Sequence, residues 1–189
     1  MNGSRQRSSA FSPWTPLAIW TALVFIGLPA GPWLWNGLKA VFPLAARLLP
    51  QAVLAAAAVT AVACIVRSPQ GAFRRRKLSG LGAAALAVCI GFLIRYPAEP
   101  LHAAEYAVLA LLARRAFRHR RPSTRAWFLS AVFALGVGTA EETLQLWVPG
   151  RVFDPRDLAL NWCASFFGLL LSACMESGSS ATNGRQDSP

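Results

Sequence analysis

Residues 126–175, AWFLSAVFALGVGTAEETLQLWVPGRVFDPRDLALNWCASFFGLLLSACM, contain two apolar runs separated by a short polar segment. The runs cover residues 126–148 and 158–175, and about 20 apolar residues suffice for an α-helix to cross a bilayer. Pro149 and Gly150 end the first run, and Asp154 before a proline is a good start for the next helix. The stretch therefore predicts two consecutive membrane helices joined by a polar turn.

Further apolar runs precede this stretch, at residues 14–35, 48–66, 78–94 and 100–117. The 189 residues are 54% hydrophobic and only 14% charged, whereas soluble domains carry about 25% charged residues. The composition predicts an all-α, polytopic integral membrane helix bundle with about six transmembrane helices. We expect one helical domain at residues 14–175, a polar N-terminal tail at 1–13 and a disordered C-terminal tail at 176–189.

The first apolar run is longer than the apolar part of a typical signal peptide, so we expect it to be a retained span. Pro29 and Pro32 are predicted to bend or end its helix. The four cysteines lie inside apolar runs without metal-type spacing, and we interpret them as small apolar residues.

The 19 Lys and Arg residues divide unequally between the two sides of the predicted bundle. With a cytoplasmic N-terminus, fourteen lie in cytoplasmic segments and five in external ones. The positive-inside rule then predicts that both termini are cytoplasmic. Because this topology accounts for the net charge of +11, and no basic surface domain with interleaved aromatic residues is visible, we expect no nucleic-acid partner.

Most acidic residues fall at the opposite, extracytoplasmic end of the helices. Acidic residues contribute little to membrane orientation, and ionisable groups near hydrocarbon indicate a functional site. The sequence therefore predicts a polar site at the outer leaflet. The six acidic residues at this end are Glu99, Glu105, Glu141, Glu142, Asp154 and Asp157.

The fifth helix is predicted to contribute Glu142 and Gln145, which share one face at i, i+3 spacing. Glu142 lies about 24 Å along the helix from residue 126, deep for a carboxylate. Gly138 lies on the same stripe and would let a neighbouring helix approach closely. Glu141 points about 100° away, so the two glutamates need not share an environment.

The sixth helix begins with Asp154, which we interpret as its N-cap. Asp157 and Asn161 follow on one face at i, i+4 spacing. Arg151 in the preceding turn either neutralises these aspartates or binds an anionic headgroup through two parallel hydrogen bonds from its guanidinium. Asn161, like Gln145 on the fifth helix, could alternatively serve only to hydrogen-bond a neighbouring helix.

The fourth helix is predicted to bring His102, Glu105 and Tyr106 to the same depth. Their i, i+3 and i, i+4 spacings place them in its first two turns, where they can meet the polar residues of the fifth and sixth helices. The alternative interpretation is a polar pair of His102 and Glu105 that only fixes helix register.

This constellation resembles the VanZ-like family of bacterial membrane proteins over residues 101–171. The family pattern has an acidic residue, a Gln three positions later, a Gly-Arg turn, spaced aspartates, an Asn and glycines, with an upstream His and Tyr. A second Gly that many members have soon after the Asn is replaced here by Ala164-Ser165. The corresponding residues in this chain are Glu142, Gln145, Gly150, Arg151, Asp154, Asp157, Asn161, Gly168, His102, Glu105 and Tyr106.

The resemblance implies a multi-pass helical protein of the bacterial cytoplasmic membrane. The member that gives the family its name is associated with low-level resistance to the glycopeptide teicoplanin, but family membership does not imply one particular reaction.

Three functions are compatible with the predicted site. The first is recognition or modification of an envelope lipid or glycopeptide-related ligand, with candidate catalytic residues Glu142, His102 and Asp157. The second is a non-catalytic accessory or scaffold role. The third, a transporter or proton relay, ranks last because the inner halves of the helices are apolar. The candidate ligand-binding residues are Arg151, Gln145, Asn161, Glu105 and Tyr106.

No cofactor is expected. A metal site is not predicted either, since the sequence has no metal-ligand spacing signature, although His102, Glu105 and Glu142 could together suit a divalent ion. Membrane lipids are the expected partners.

Overall fold

The computed structural model describes residues 12–66, 73–119, 123–149 and 151–183, which form six α-helices and no strand. The predicted all-α helix bundle is confirmed. The tail at residues 1–11, the basic segments 67–72 and 120–122, Gly150 and residues 184–189 lie outside the described residues. The helices are α1 (Trp14–Val41), α2 (Pro43–Val66), α3 (Phe73–Leu93), α4 (Glu99–Arg118), α5 (Ser123–Gln145) and α6 (Pro155–Asn183).

Among the described residues, three helical segments are long and apolar enough to cross a membrane, namely Trp14–Val41, Pro43–Ala63 and Pro155–Glu176. In α3 the apolar helix Lys77–Leu93 is shorter. The remaining two helices, α4 and α5, carry His102, Glu105, Glu141 and Glu142 of the polar site described below. The three long helices agree with a membrane protein.

Two helix ends differ from the sequence-based expectation. Pro29 and Pro32 were predicted to bend or end this helix; they lie inside α1, which continues to Val41, so they do not end it. Neighbouring helices and local adjustments allow proline within membrane helices. At the other end of the chain, α6 continues to Asn183, into the segment for which the sequence predicts a disordered tail.

The centre of the bundle is α6, which packs against α3, α4 and α5. In the most apolar membrane-length stretch of α6, 56% of the residues are buried, compared with 17% in that of α1. On the peripheral helices, large apolar side chains such as Trp33, Val59 and Phe92 are exposed. A belt of this kind is unfavourable in water and suits contact with lipid tails.

A buried arginine marks the end of the bundle where α4 and α6 finish. Arg114 is only 1% exposed and donates a hydrogen bond from Nη2 to Glu176 Oε2 at 2.9 Å. Arg118 Nη1 lies 3.2 Å from Glu176 Oε1. Both arginines belong to the C-terminal part of α4. Glu176 on the neighbouring helix supplies the opposite charge that lets Arg114 be buried.

Candidate functional site

Polar side chains from α4, α5 and α6 meet at the opposite end of the bundle, around Glu141. We call this group the Glu141 cluster. Its members come from three different helices, so only the packing of the bundle brings them together. They are His102, Glu105, Tyr106, Glu141, Glu142, Gln145 and Asn161.

The centre of this cluster is the carboxylate of Glu141, which is 2% exposed. Its Oε2 accepts a hydrogen bond from Tyr106 Oη at 3.0 Å and one from Asn161 Nδ2 at 3.3 Å. His102 Nε2 lies 3.4 Å from the same oxygen. One carboxylate oxygen thus holds side chains of α4 and α6 against α5.

Glu142 and Gln145 lie next to this centre, and both are buried. The Gln145 amide donates to Glu142 Oε1 at 2.9 Å and to Glu141 Oε1 at 3.3 Å. Glu142 Oε2 also accepts a weak hydrogen bond from the backbone N–H of Asp154 at 3.5 Å. The predicted common face of Glu142 and Gln145 is confirmed. The spacing left open whether the two glutamates share an environment, and the structure shows that they do, because Gln145 joins them.

His102 lies between two carboxylates. Its Nδ1 is 3.5 Å from Glu105 Oε2, and its Nε2 faces Glu141. The ring also packs edge-on against Tyr106, with ring centroids 5.2 Å apart. A histidine held in this way can exchange protons with a bound ligand or bind a metal ion.

Close packing brings α5 and α6 together beside the cluster. A Cβ atom added at Gly138 would lie 3.2 Å from Tyr106 Cε1 and 3.3 Å from Asn161 Cβ. The sequence-based role of Gly138 as a close-approach residue is therefore confirmed. A larger residue here would require Tyr106 or Asn161 to move by a few tenths of an ångström.

A second group, the Arg156 cluster, ties the start of α6 to the loop before α4. It consists of Glu99, Asp154, Arg156 and Asp157. Arg156 donates from Nη2 to Glu99 Oε1 at 2.5 Å, and Nη2 lies 2.9 Å from Asp157 Oδ1. A further hydrogen bond joins its guanidinium to the backbone carbonyl of Leu93. This arginine was absent from the predicted site, although its position two residues after the Asp154 cap was a usable signal.

The N-terminal cap of α6 is formed as predicted. The Asp154 side chain accepts a hydrogen bond from the backbone N–H of Arg156 at 2.8 Å, and Pro155 occupies the first helical position. The cap orients Arg156 toward Glu99.

Glu99 lies just before the apolar part of α4. Burial opposes its charge, but the hydrogen bonds from Arg156 and from the backbone N–H groups of Arg95 and Tyr96 outweigh this, and the pKa of Glu99 lies below its ordinary value. The carboxylate is therefore a charged, structural partner of Arg156 at neutral pH.

Arg151 differs from Arg156 in having no charged partner among the described residues. Its Nε is buried without a hydrogen bond, and no ion pair to its guanidinium occurs within the part of the chain that the structure describes. Asp154 and Asp157 instead lie within ion-pair distance of Arg156. Of the two roles weighed for Arg151, neutralisation of the aspartates is therefore not the one observed.

A cavity of about 800 Å³ lies between α1 and the two clusters. Apolar and small residues of α1, including Leu23, Gly27 and Gly31, form one wall. The polar wall consists of Glu99, His102, Glu105, Glu141, Gln145, Arg151 and Asp157. Such a cavity has the two-sided lining that an amphiphilic ligand requires.

Trp20 was not among the predicted site residues, although it lines this cavity. Its indole Nε1 donates to the backbone carbonyl of Glu105 at 3.0 Å and fixes α1 against α4. Nothing in the local pattern distinguishes Trp20 from the other aromatic residues of α1.

Every predicted site residue lies in or beside these clusters, and the structure separates their environments. His102, Tyr106, Gln145 and Asn161 contact Glu141, and Glu142 contacts Gln145. Asp157 pairs with Arg156 rather than with the histidine. Glu141 was counted among the acidic residues of the predicted polar site but not among the candidate catalytic or ligand-binding residues, although its i, i+4 spacing to Gln145 was an available signal.

Residues 14–176 match the family model described as VanZ/LLP1. The chain belongs to the VanZ/LLP1 family. The match includes α1 to α5 and most of α6, and so extends well beyond the motif-bearing residues 101–171. No curated protein and no solved structure matches the chain. Family membership and the apolar helices together identify a VanZ/LLP1 membrane protein whose polar residues converge at one end of the bundle.

Proposed function

We propose that this VanZ/LLP1 protein binds the anionic headgroup of an envelope amphiphile in the cavity between α1 and the polar clusters. The observation that carries the proposal is Arg151, a cation that lines the cavity without a carboxylate partner among the described residues. Guanidinium groups form strong, forked hydrogen bonds with phosphate and carboxylate. The headgroup would lie against Arg151.

The shape of the cavity supports an amphiphile rather than a small soluble anion. Its α1 wall presents Leu23, Val24 and Leu34 as well as glycines, and this helix also carries apolar side chains exposed on the bundle surface. An acyl or prenyl chain along α1 would replace water at this wall. The polar headgroup would remain at the clusters.

The expected site of action is the outer leaflet of the cytoplasmic membrane. The distribution of Lys and Arg supports this sidedness, because the clusters lie at the end opposite to Arg114 and Arg118. The proposal concerns recognition and requires no reaction; it is compatible with an accessory role. Teicoplanin, the glycopeptide associated with the family, is a second ligand to test in the same assay.

The test compares Arg151→Gln with Arg95→Gln. Arg95 is exposed in the neighbouring loop and does not line the cavity, so both variants lose one positive charge at the same end. Native mass spectrometry of the detergent-purified protein would measure retention of a short-chain phosphate-headed lipid and of a zwitterionic one. We expect Arg151→Gln to weaken phosphate-lipid binding roughly ten- to hundred-fold, since a hydrogen bond to a charged group contributes about 1.5–3 kcal/mol.

Arg95→Gln should bind like the wild type. Equal binding by all three proteins, or equal retention of the two lipids by the wild type, would show that Arg151 does not recognise an anionic headgroup.

A further inference from the structure

Three side chains of the Glu141 cluster converge as metal ligands do. One ligand atom each from His102, Glu141 and Glu142 lies within 4.8 Å of the others, and His102 Nε2 is 3.4 Å from Glu141 Oε2. Ligand atoms on one ion, with bonds of about 2.0–2.2 Å, lie roughly 3–4 Å apart. A bound ion would require the three ligand atoms to lie slightly closer together than this 4.8 Å limit.

The charge balance of the cluster also calls for a cation. Glu141 and Glu142 are 2% and 0% exposed, and His102 is the basic side chain within ion-pair distance of Glu141. The arginine of the neighbouring cluster is already paired with Glu99 and Asp157. Adjacent buried carboxylates are costly unless their charge is compensated, and a divalent ion compensates both.

The residues around the three ligands form an outer shell typical of metal centres. His102 Nδ1 faces the Glu105 carboxylate at 3.5 Å, the carboxylate–histidine arrangement that orients a metal-binding imidazole. Gln145 donates to both glutamates, and Tyr106 donates to Glu141. These hydrogen bonds hold the carboxylates in place.

An unpartnered oxygen provides an independent indication of a ligand. Asn161 is wholly buried, and its amide nitrogen lies 3.3 Å from Glu141 Oε2. Its Oδ1 has no hydrogen-bond partner among the described residues. A water molecule bound to an ion at the cluster would supply the missing donor.

We propose that His102, Glu141 and Glu142 bind one first-row divalent transition-metal ion such as Zn²⁺ or Mn²⁺. Imidazole favours transition metals over Mg²⁺ or Ca²⁺, and carboxylates suit Mn²⁺ and Zn²⁺. Three protein ligands leave a coordination position open toward the cavity, which His102 and Glu141 line. This site does not depend on headgroup binding at Arg151.

The experiment uses the full chain, purified in detergent with its affinity tag removed. After treatment with a chelator, the protein is loaded with Zn²⁺ or Mn²⁺, dialysed and measured by elemental mass spectrometry. We expect about one ion per wild-type chain and at least a ten-fold loss of metal in His102→Ala and Glu142→Gln. His119→Ala is the matched control, because this second histidine is exposed at the far end of α4. It should keep the ion.

Two further measurements keep the proposal testable if the ligand variants fold poorly. Glu105→Gln changes only the outer shell and should weaken metal affinity about 10- to 100-fold while the stoichiometry at saturation is retained. Metal-free wild type should gain thermal stability on addition of Zn²⁺ and show visible absorption with Co²⁺ that Zn²⁺ abolishes.

Wild type that binds no metal and is not stabilised by it, or a His102→Ala variant that keeps its ion, would overturn the proposal. Arg151→Gln should bind metal normally, so failure of the metal site and failure of headgroup recognition give different results.

Discussion

At the scale of single residues, two arginines five positions apart in sequence have opposite roles. Arg156 is paired with Glu99 and Asp157 and contacts the ring of Tyr96, with its Cζ 5.8 Å from the centroid. Arg151 has no such partner among the described residues. The difference arises because the Asp154 cap aims Arg156 back toward α4, whereas Arg151 precedes the cap and faces the cavity.

Replacing Arg156 by Met is predicted to destabilise the protein. The side chains of Arg156 and Glu99 are only 13% and 10% exposed, so Arg156→Met leaves a nearly buried carboxylate without its counter-charge. We expect the free energy of unfolding to fall by about 3 kcal/mol. Titration with a denaturing detergent in mixed micelles measures it.

The double variant Glu99→Gln/Arg156→Met is the control, because it removes both charges and should recover part of this loss. A double variant as unstable as the sum of the two single variants would show that the charges are not coupled.

At the scale of helices, the contact between α4 and α6 determines whether the clusters form. Gly168 lies against the backbone of α4: an added Cβ would be 3.0 Å from Ala107 Cα and closer still to the Ala107 carbonyl group. A flexible side chain could move aside, but helix backbone cannot. The two helices can therefore bring Tyr106 and Asn161 to Glu141 only if this residue is glycine.

Gly168→Ala should accordingly separate α4 from α6. We expect a loss of about 1–3 kcal/mol in unfolding free energy, as for other overpacked interiors, and a lower melting temperature in detergent. Gly136→Ala is the matched control on α5, since an added Cβ there meets nothing within 4 Å. It should be neutral or slightly stabilising, because alanine favours helix over glycine by roughly 0.5–1 kcal/mol. Similar melting temperatures for the two variants would argue against this contact.

At the scale of the whole molecule, charge is distributed unequally between the two ends of the bundle. The end with the Arg156 cluster combines acids with Arg151 and Arg156, while Arg114, Arg115 and Arg118 lie near the other end of α4. This asymmetry is the physical basis for the predicted orientation, with both termini in the cytoplasm.

Single cysteines introduced into a variant lacking the four native cysteines would test the orientation. Val152 is 78% exposed in the loop before α6, and His119 is exposed after α4. In intact cells, a membrane-impermeant maleimide should label Val152→Cys and not His119→Cys. Both should be labelled once the membrane is permeabilised. The reverse pattern in intact cells would place the clusters on the cytoplasmic side.

Sequence alone determined the helical class, the approximate positions of the six helices and most residues of the candidate site. Apolar runs, the Asp154 cap and i, i+3 or i, i+4 spacing are local properties, and local properties can be read along one helix. Glu142, Gln145, His102 and Tyr106 were found in this way.

Only the tertiary structure decided which polar groups meet. Whether Glu141 shares an environment with Glu142, whether Arg151 or Arg156 neutralises the aspartates, and whether Arg114 is buried all depend on contacts between helices. Spacing along one helix gives the direction of a side chain but not what lies opposite it. The packing at Gly138 and Gly168 decides which side chains lie opposite one another. It sets how closely α4, α5 and α6 approach, and thus which side chains reach Glu141.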